Sequence, residues 1–163
     1  MQREPLDGIG AADEHLGRHV PLPAAPLPLA RWVEVVASGL GAVQVEWNFD
    51  VSRPQSPGRL TLYAGLEPPP ERGLPEPVAA GRYAYREAPL AEAAPEFRPV
   101  RELAWEHEGL HLRLTAQGPW VMTQLVVLAD SIGCRRDGPG HLIVQHRRRG
   151  GGERLHSAPA WIA

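Results

Sequence analysis

This chain of 163 residues has one cysteine and no lysine, all 17 of its basic residues being arginine. Cys134 has no second thiol to pair with, so an internal disulfide and a cysteine-based zinc cluster are both excluded, and its ordinary role is a structural thiol. No uninterrupted apolar run reaches the roughly 18 residues that would suggest a membrane helix. The start, MQREPLDGIGAADEHLG, lacks the basic stretch and apolar core of an export signal. As written, the chain is therefore expected to be soluble and cytoplasmic, or extracytoplasmic if it is a piece of something longer. The net charge of −2 lacks the basic excess of a general nucleic-acid binder, and neither nucleic acid nor membrane is expected as a partner. The all-arginine usage is the mark of GC-rich coding rather than of a ligand. Also missing are a glycine-rich phosphate loop, a G-x-S-x-G elbow and a Cys/His dyad.

What is present is an ordinary globular composition, 43% hydrophobic and 22% charged, with 18 Pro and 17 Gly concentrated in loops and tails. Residues 1–28 end in PLPAAPLPL, whose alternating prolines favour an extended polyproline II leader, lying on the domain or disordered. A single domain is expected over 29–146, followed by a flexible Arg/Gly-rich tail over 147–163 that includes Arg147 to Arg149.

Residues 107–111 read His-Glu-Gly-Leu-His, the H-E-x-x-H of zinc proteases. That chemistry needs a helix, since two histidines one turn apart must share a face to bind the metal. On a helical wheel, Leu103, Leu110 and Leu114 coincide, but Trp105 and Leu112 fall on the opposite side. Folded as a hairpin about Glu108-Gly109, a dipeptide suited to a type I′ turn, the same segment puts all five on one face. The pairs become His107 with Leu110, Trp105 with Leu112 and Leu103 with Leu114. The reverse face pairs Glu106 with His111, Ala104 with Arg113 and Glu102 with Thr115, and is expected to be a polar surface.

Further strands are expected over residues 31–38, where Trp32, Val33, Val36 and Leu40 also fit helical spacing but the β-branched content favours a strand, over 42–50, where Val43, Val45, Trp47 and Phe49 alternate with polar residues, over 59–64 with Leu60 and Leu62 inward, and over 78–86 with Gly81 at a bulge or crossing. A loop over 88–99 precedes the hairpin. After it, Pro119 suits the first position of a helix running to Ile132, with Val121, Leu125, Leu128 and Ile132 as its apolar stripe. HLIVQH at 141–146 could add a strand. The expected fold is α+β, a curved antiparallel sheet of about five to six strands with one main C-terminal helix on its apolar face.

The order Leu103, Trp105, Gly109, Leu110, Leu112, Leu114, Gly118, Leu125, Leu128, Ala129, Ser131 and Ile132 resembles the C-terminal part of an uncharacterised domain family of bacterial anti-sigma-factor-like and sporulation-associated proteins. The resemblance covers residues 101–133 and is a packing pattern, not a catalytic signature. It implies a sheet-and-helix sensor fold similar to the lipoprotein carriers and sigma regulators. Members of that family are commonly membrane-tethered outside the cytoplasm, and no anchor is seen in this sequence.

Several groups of residues are candidate sites. The aromatics Trp47, Phe49, Tyr63, Tyr83, Tyr85, Trp105 and Trp120 could line a cavity for an apolar ligand with His107 at its rim, or simply form the core. Asp50, Ser52, Arg53, Ser56 and Arg59 form a polar loop whose arginines could grip a carboxylate or phosphate. His15 and His19 have i,i+4 half-site spacing if DEHLGRH forms a short helix, against a reading as solvated histidines. The expected function is a non-enzymatic binding or regulatory domain for an apolar ligand or a protein partner, a second copy included, with no cofactor. The rival is a zinc-dependent hydrolase built on His107, Glu108 and His111, with a third ligand from Asp130, His141 or His146.

Overall fold

The structure, a computed structural model, describes residues 3–49, 58–70, 75–88 and 100–132. The 88–99 loop beyond Ala88, the strand expected at 141–146, the tail, Cys134, and the polar-loop residues Asp50, Ser52, Arg53 and Ser56 lie outside the described residues.

The elements are β1 (Glu4–Pro5), α1 (Gly8–Leu16), β2 (Trp32–Ala37), β3 (Ala42–Asn48), β4 (Arg59–Gly65), β5 (Val78–Ala80), β6 (Tyr83–Ala88), β7 (Val100–His107), β8 (Leu110–Gln117) and α2 (Met122–Ser131). The strands form one antiparallel sheet in the order β1-β2-β3-β4-β8-β7-β6-β5. The expected α+β class holds, with eight strands rather than five or six. After β4 the chain crosses to the far edge and works back inward, so that β8 closes against β4 with Leu62 opposite Leu114 and Ala64 opposite Leu112.

The hairpin β7–β8 has the register that periodicity predicts, with Leu103 opposite Leu114, Trp105 opposite Leu112 and His107 opposite Leu110. Glu108 (φ 49°) and Gly109 (φ 76°) both sit in the left-handed region, as a type I′ turn requires. The pentapeptide of the zinc-protease motif is therefore a strand, a turn and a strand. His107 and His111 occupy opposite faces of the sheet and cannot converge on one metal ion.

Alternation divides the sheet into two faces. Val33, Val35, Val43, Val45, Trp47, Leu60, Leu62, Leu103, Leu112 and Leu114 are buried on one, in a single core with α2 side chains Leu125, Leu128 and Ala129. The reason two helices are needed is width. Eight strands spaced about 4.8 Å apart spread over roughly 34 Å, whereas a helix covers a strip about 10 Å wide. In this structure α2 contacts β7 and β8, and α1 contacts β2 and β3.

Four expectations need correction. Residues 8–16 of the expected leader form α1, and Ala12, Leu16, Val20 and Leu27 belong to the core. Extended backbone beyond α1 lies on the domain, tied down by Ala24 N–H donating to Ser131 Oγ (3.0 Å) and by the Arg18 guanidinium donating to the Glu108 carbonyl (2.7 Å). The 78–86 segment is two strands, because Gly81 (φ 62°) belongs to a tight turn rather than a bulge. The last helix starts at Met122 instead of Pro119. Trp120 is drawn in against Phe49 (ring centroids 6.0 Å apart), and Val121 stays extended and 49% exposed outside the stripe. Its N–H is capped by the Gln124 side chain at 3.0 Å. Finally, the second face of the sheet is not simply a polar surface, because Gln44, Glu46, Asn48, Glu102, Arg113 and Thr115 are all buried there.

Candidate functional site

Cross-strand register sets the residues of the polar face in rows. One row runs Glu34, Glu46, Thr61, Thr115, Glu102, Arg86 across six strands. The row beside it carries Gln44, Tyr63 and Arg113, and the row on the other side carries Asn48, Arg59 and Gln117. Two elements close over this face. The segment after β4 folds back, with the Tyr63 hydroxyl donating to the Glu67 carbonyl (2.8 Å) and Arg113 Nη1 donating to the Pro70 carbonyl (3.3 Å). At the other side Arg3, just ahead of β1, reaches over β3.

Between them lies a cavity of about 270 Å³ lined by Arg3, Ser38, Gln44, Glu46, Arg59 and Thr61, with Pro70, Thr115 and Gln117 completing it. This is room for several waters, or for one amino-acid-sized group. Glu46, whose side chain is 8% exposed, sits at the floor and pairs with the Arg3 guanidinium. That guanidinium also donates to Gln44 Oε1 (3.2 Å), while Gln44 Nε2 donates to Ser38 Oγ (3.0 Å). Arg59 is held by its Nε, which donates to Asn48 Oδ1 at 3.0 Å.

A buried ion pair bridges the row of Glu46 and the Gln44–Tyr63–Arg113 row beside it. Glu102 and Arg113, with side chains 3% and 6% exposed, approach to 3.5 Å. Thr115 Oγ1 donates to Glu102 Oε2 (3.4 Å), and Arg113 stacks over the Tyr63 ring 5.7 Å from its centroid. Burial is the largest influence on the Tyr63 hydroxyl and raises its pKa, with the Arg113 charge opposing and Glu67 adding to the rise.

The residues expected to form a site are distributed as follows. Trp47, Tyr85 and Trp105 are on the apolar face, 2%, 9% and 9% exposed, as packed core side chains. Trp105 meets Tyr83 edge-on at 5.2 Å, a favourable aromatic geometry. His107 lies at the hairpin end of that face with its side chain 28% exposed. Tyr63 is on the opposite face, as the inward Leu60 and Leu62 dictate. Arg59 is the one expected residue that lines the polar cavity, and Arg53 falls outside the described residues.

The histidines have separate partners. His15 Nε2 contacts the Gly39 carbonyl (2.8 Å), and His19, beyond the end of α1, pairs with Asp13 (2.7 Å). Asp130 accepts a hydrogen bond from the Tyr83 hydroxyl. Among the described residues there is no group of three His, Cys, Asp or Glu side chains placed to hold a metal ion. No described helix is long and apolar enough to cross a membrane.

Sequence reasoning missed Arg3, Ser38, Gln44, Glu46, Thr61, Thr115 and Gln117 as a group. The signal was present in the alternation of β3, which sets Gln44 and Glu46 opposite Val43, Val45 and Trp47, but nothing local says that this polar side would be covered. Comparisons with protein-family models, with curated proteins and with solved structures found no match.

Proposed function

We propose that this is a non-catalytic binding domain that takes a small polar group in the cavity on the polar face of its sheet. The observation that carries this reading is the enclosure of Gln44, Glu46, Thr61 and Thr115 around an open volume on strands pinned at both edges. Polar side chains on a structural sheet face are ordinarily left to solvent. Burying them is unfavourable unless each finds a partner. A preformed cavity with a few converging polar groups is the usual form of a binding site. The groups here are donors and acceptors of mixed charge rather than a nucleophile beside a base, so recognition is the chemistry they support.

An apolar ligand is the less supported alternative, since Trp47, Tyr85 and Trp105 fill the core with their own packing. A regulatory role, implied by the resemblance of residues 101–133 to anti-sigma-factor-like domains, is compatible with a domain that binds without reacting.

The test is amide chemical-shift mapping with a panel of small solutes: arginine amide, lysine amide, inorganic phosphate, acetate and a neutral sugar. The reading expects at least one to shift Thr61, Thr115 and Gln117 in a saturable way. Shifts confined to Leu125 and its core neighbours, or none at all in both the unaltered chain and an Arg3→Ala variant, would overturn it.

A further inference from the structure

Resting on that reading of the cavity, we infer that its ligand is a guanidinium group, the arginine side chain of a protein partner, and that Arg3 is an internal occupant which the partner displaces. The identity of the occupant tells the chemistry of the site. Glu46 and Gln44 present a carboxylate oxygen and an amide oxygen side by side on β3, and the Arg3 guanidinium is bonded to both. Both contacts come from one terminal nitrogen, Nη2, and the guanidinium carries further N–H donors that an ammonium lacks.

The two sides of this contact are held very differently. Glu46 is on a strand hydrogen-bonded to β2 and β4 along its whole length. Arg3 is delivered by the edge strand β1, which has two residues, one of them Pro5 with no N–H to give to the ladder. The Arg3 side chain is 52% exposed, whereas that of Glu46 is 8% exposed. An edge strand this short opens at little cost. The carboxylate it uncovers keeps water in the cavity but loses the counter-charge of Arg3, which is unfavourable for a group held low on the sheet. Exchange of one guanidinium for another is therefore favoured over vacancy, and the site is self-blocked until a competing arginine arrives. Arg59 stands on the adjacent row, where it repels a second cation and confines the site to one.

The experiment titrates arginine amide and lysine amide into the full chain and into its Arg3→Ala variant, following the Thr61, Thr115 and Gln117 amides. Removing the internal competitor is expected to tighten arginine amide binding about tenfold, the effect of one charged hydrogen-bonding contact, with lysine amide several-fold weaker. Adding Glu46→Gln to Arg3→Ala is expected to abolish binding. Gln44→Met in the Arg3→Ala background, which keeps the carboxylate, is expected to weaken it a few-fold and serves if the Glu46 variant does not fold. The inference is overturned if Arg3→Ala binds arginine amide no more tightly than the unaltered chain, or if neither acceptor substitution weakens binding. Should phosphate, acetate or the sugar shift the cavity amides while arginine amide does not, the guanidinium assignment falls and the cavity remains a binding site. A panel that leaves those amides unmoved in both chains removes both.

Discussion

Two glycines with positive φ separate two kinds of constraint. Gly109 has φ 76° and nothing within 4 Å of where a Cβ would stand, so only backbone strain opposes a side chain there. Gly58 has the same φ, but its Cβ would collide with the Gln117 carbonyl. Gly109→Ala is expected to lower stability by about 1 kcal/mol, and Gly58→Ala by about 3 kcal/mol, since strain and steric overlap add. Urea unfolding midpoints compare them, and equal losses would contradict the packing at Gly58. The Glu102–Arg113 pair offers a second contrast. Arg113→Met leaves a buried carboxylate behind and should cost about 3–5 kcal/mol, while the double variant Glu102→Leu/Arg113→Met should recover at least half of that. A double variant as unstable as the single one would show that the pair is not the source of the loss.

Among the elements, the hairpin β7–β8 was legible in advance because its information is local: a Glu-Gly turn and strict alternation on both arms fix register and facing together. The nine residues of α1 were not legible as core. A helix that short is marginal alone and is stabilised by what it packs on. Here that is β2 and β3, with a C-terminal stop in which Gly17 takes φ 76° and the Arg18 N–H donates to the Asp13 carbonyl at 3.1 Å. The Asp13 carboxylate then accepts from the Val20 N–H (2.7 Å) and turns the chain toward the core. Leu16→Ala is accordingly expected to destabilise by about 2–4 kcal/mol in calorimetry or denaturant unfolding. A loss within about 0.5 kcal/mol, the ordinary surface value, would mean that α1 is not part of the cooperative unit.

For the whole molecule, the consequence of two covered faces reaches all three tyrosines. Burial is the largest cause of a raised pKa at each, reinforced by Asp130 at Tyr83 and by Glu87 at Tyr85. Each phenol therefore holds its proton more tightly folded than unfolded. Below about pH 10, the ordinary tyrosine value, both states keep the proton and stability does not depend on these groups. As pH rises past that value, the unfolded chain ionises first, and stability falls until the folded-state pKa values are passed. Tyrosinate absorbance should lag behind free tyrosine and then rise together with loss of the fold. Phenols ionising at about 10 in a chain that stays folded would contradict this.

The sequence by itself determined strands β2, β3, β4, β7 and β8, the turn at Glu108-Gly109 and the inward Leu125 and Leu128 of α2, because hydrophobic alternation and turn chemistry act between residues close along the chain. On the same ground it favoured a hairpin over a helical zinc motif, and the register of β7 and β8 is that hairpin. Only the tertiary structure decided that the middle of the reverse face is covered, since that required Arg3, the segment after β4, and strands β3, β4 and β8 to meet from distant parts of the chain. Alternation distinguishes one side of a strand from the other, but not whether something distant will cover it. The cavity around Glu46 exists because something does.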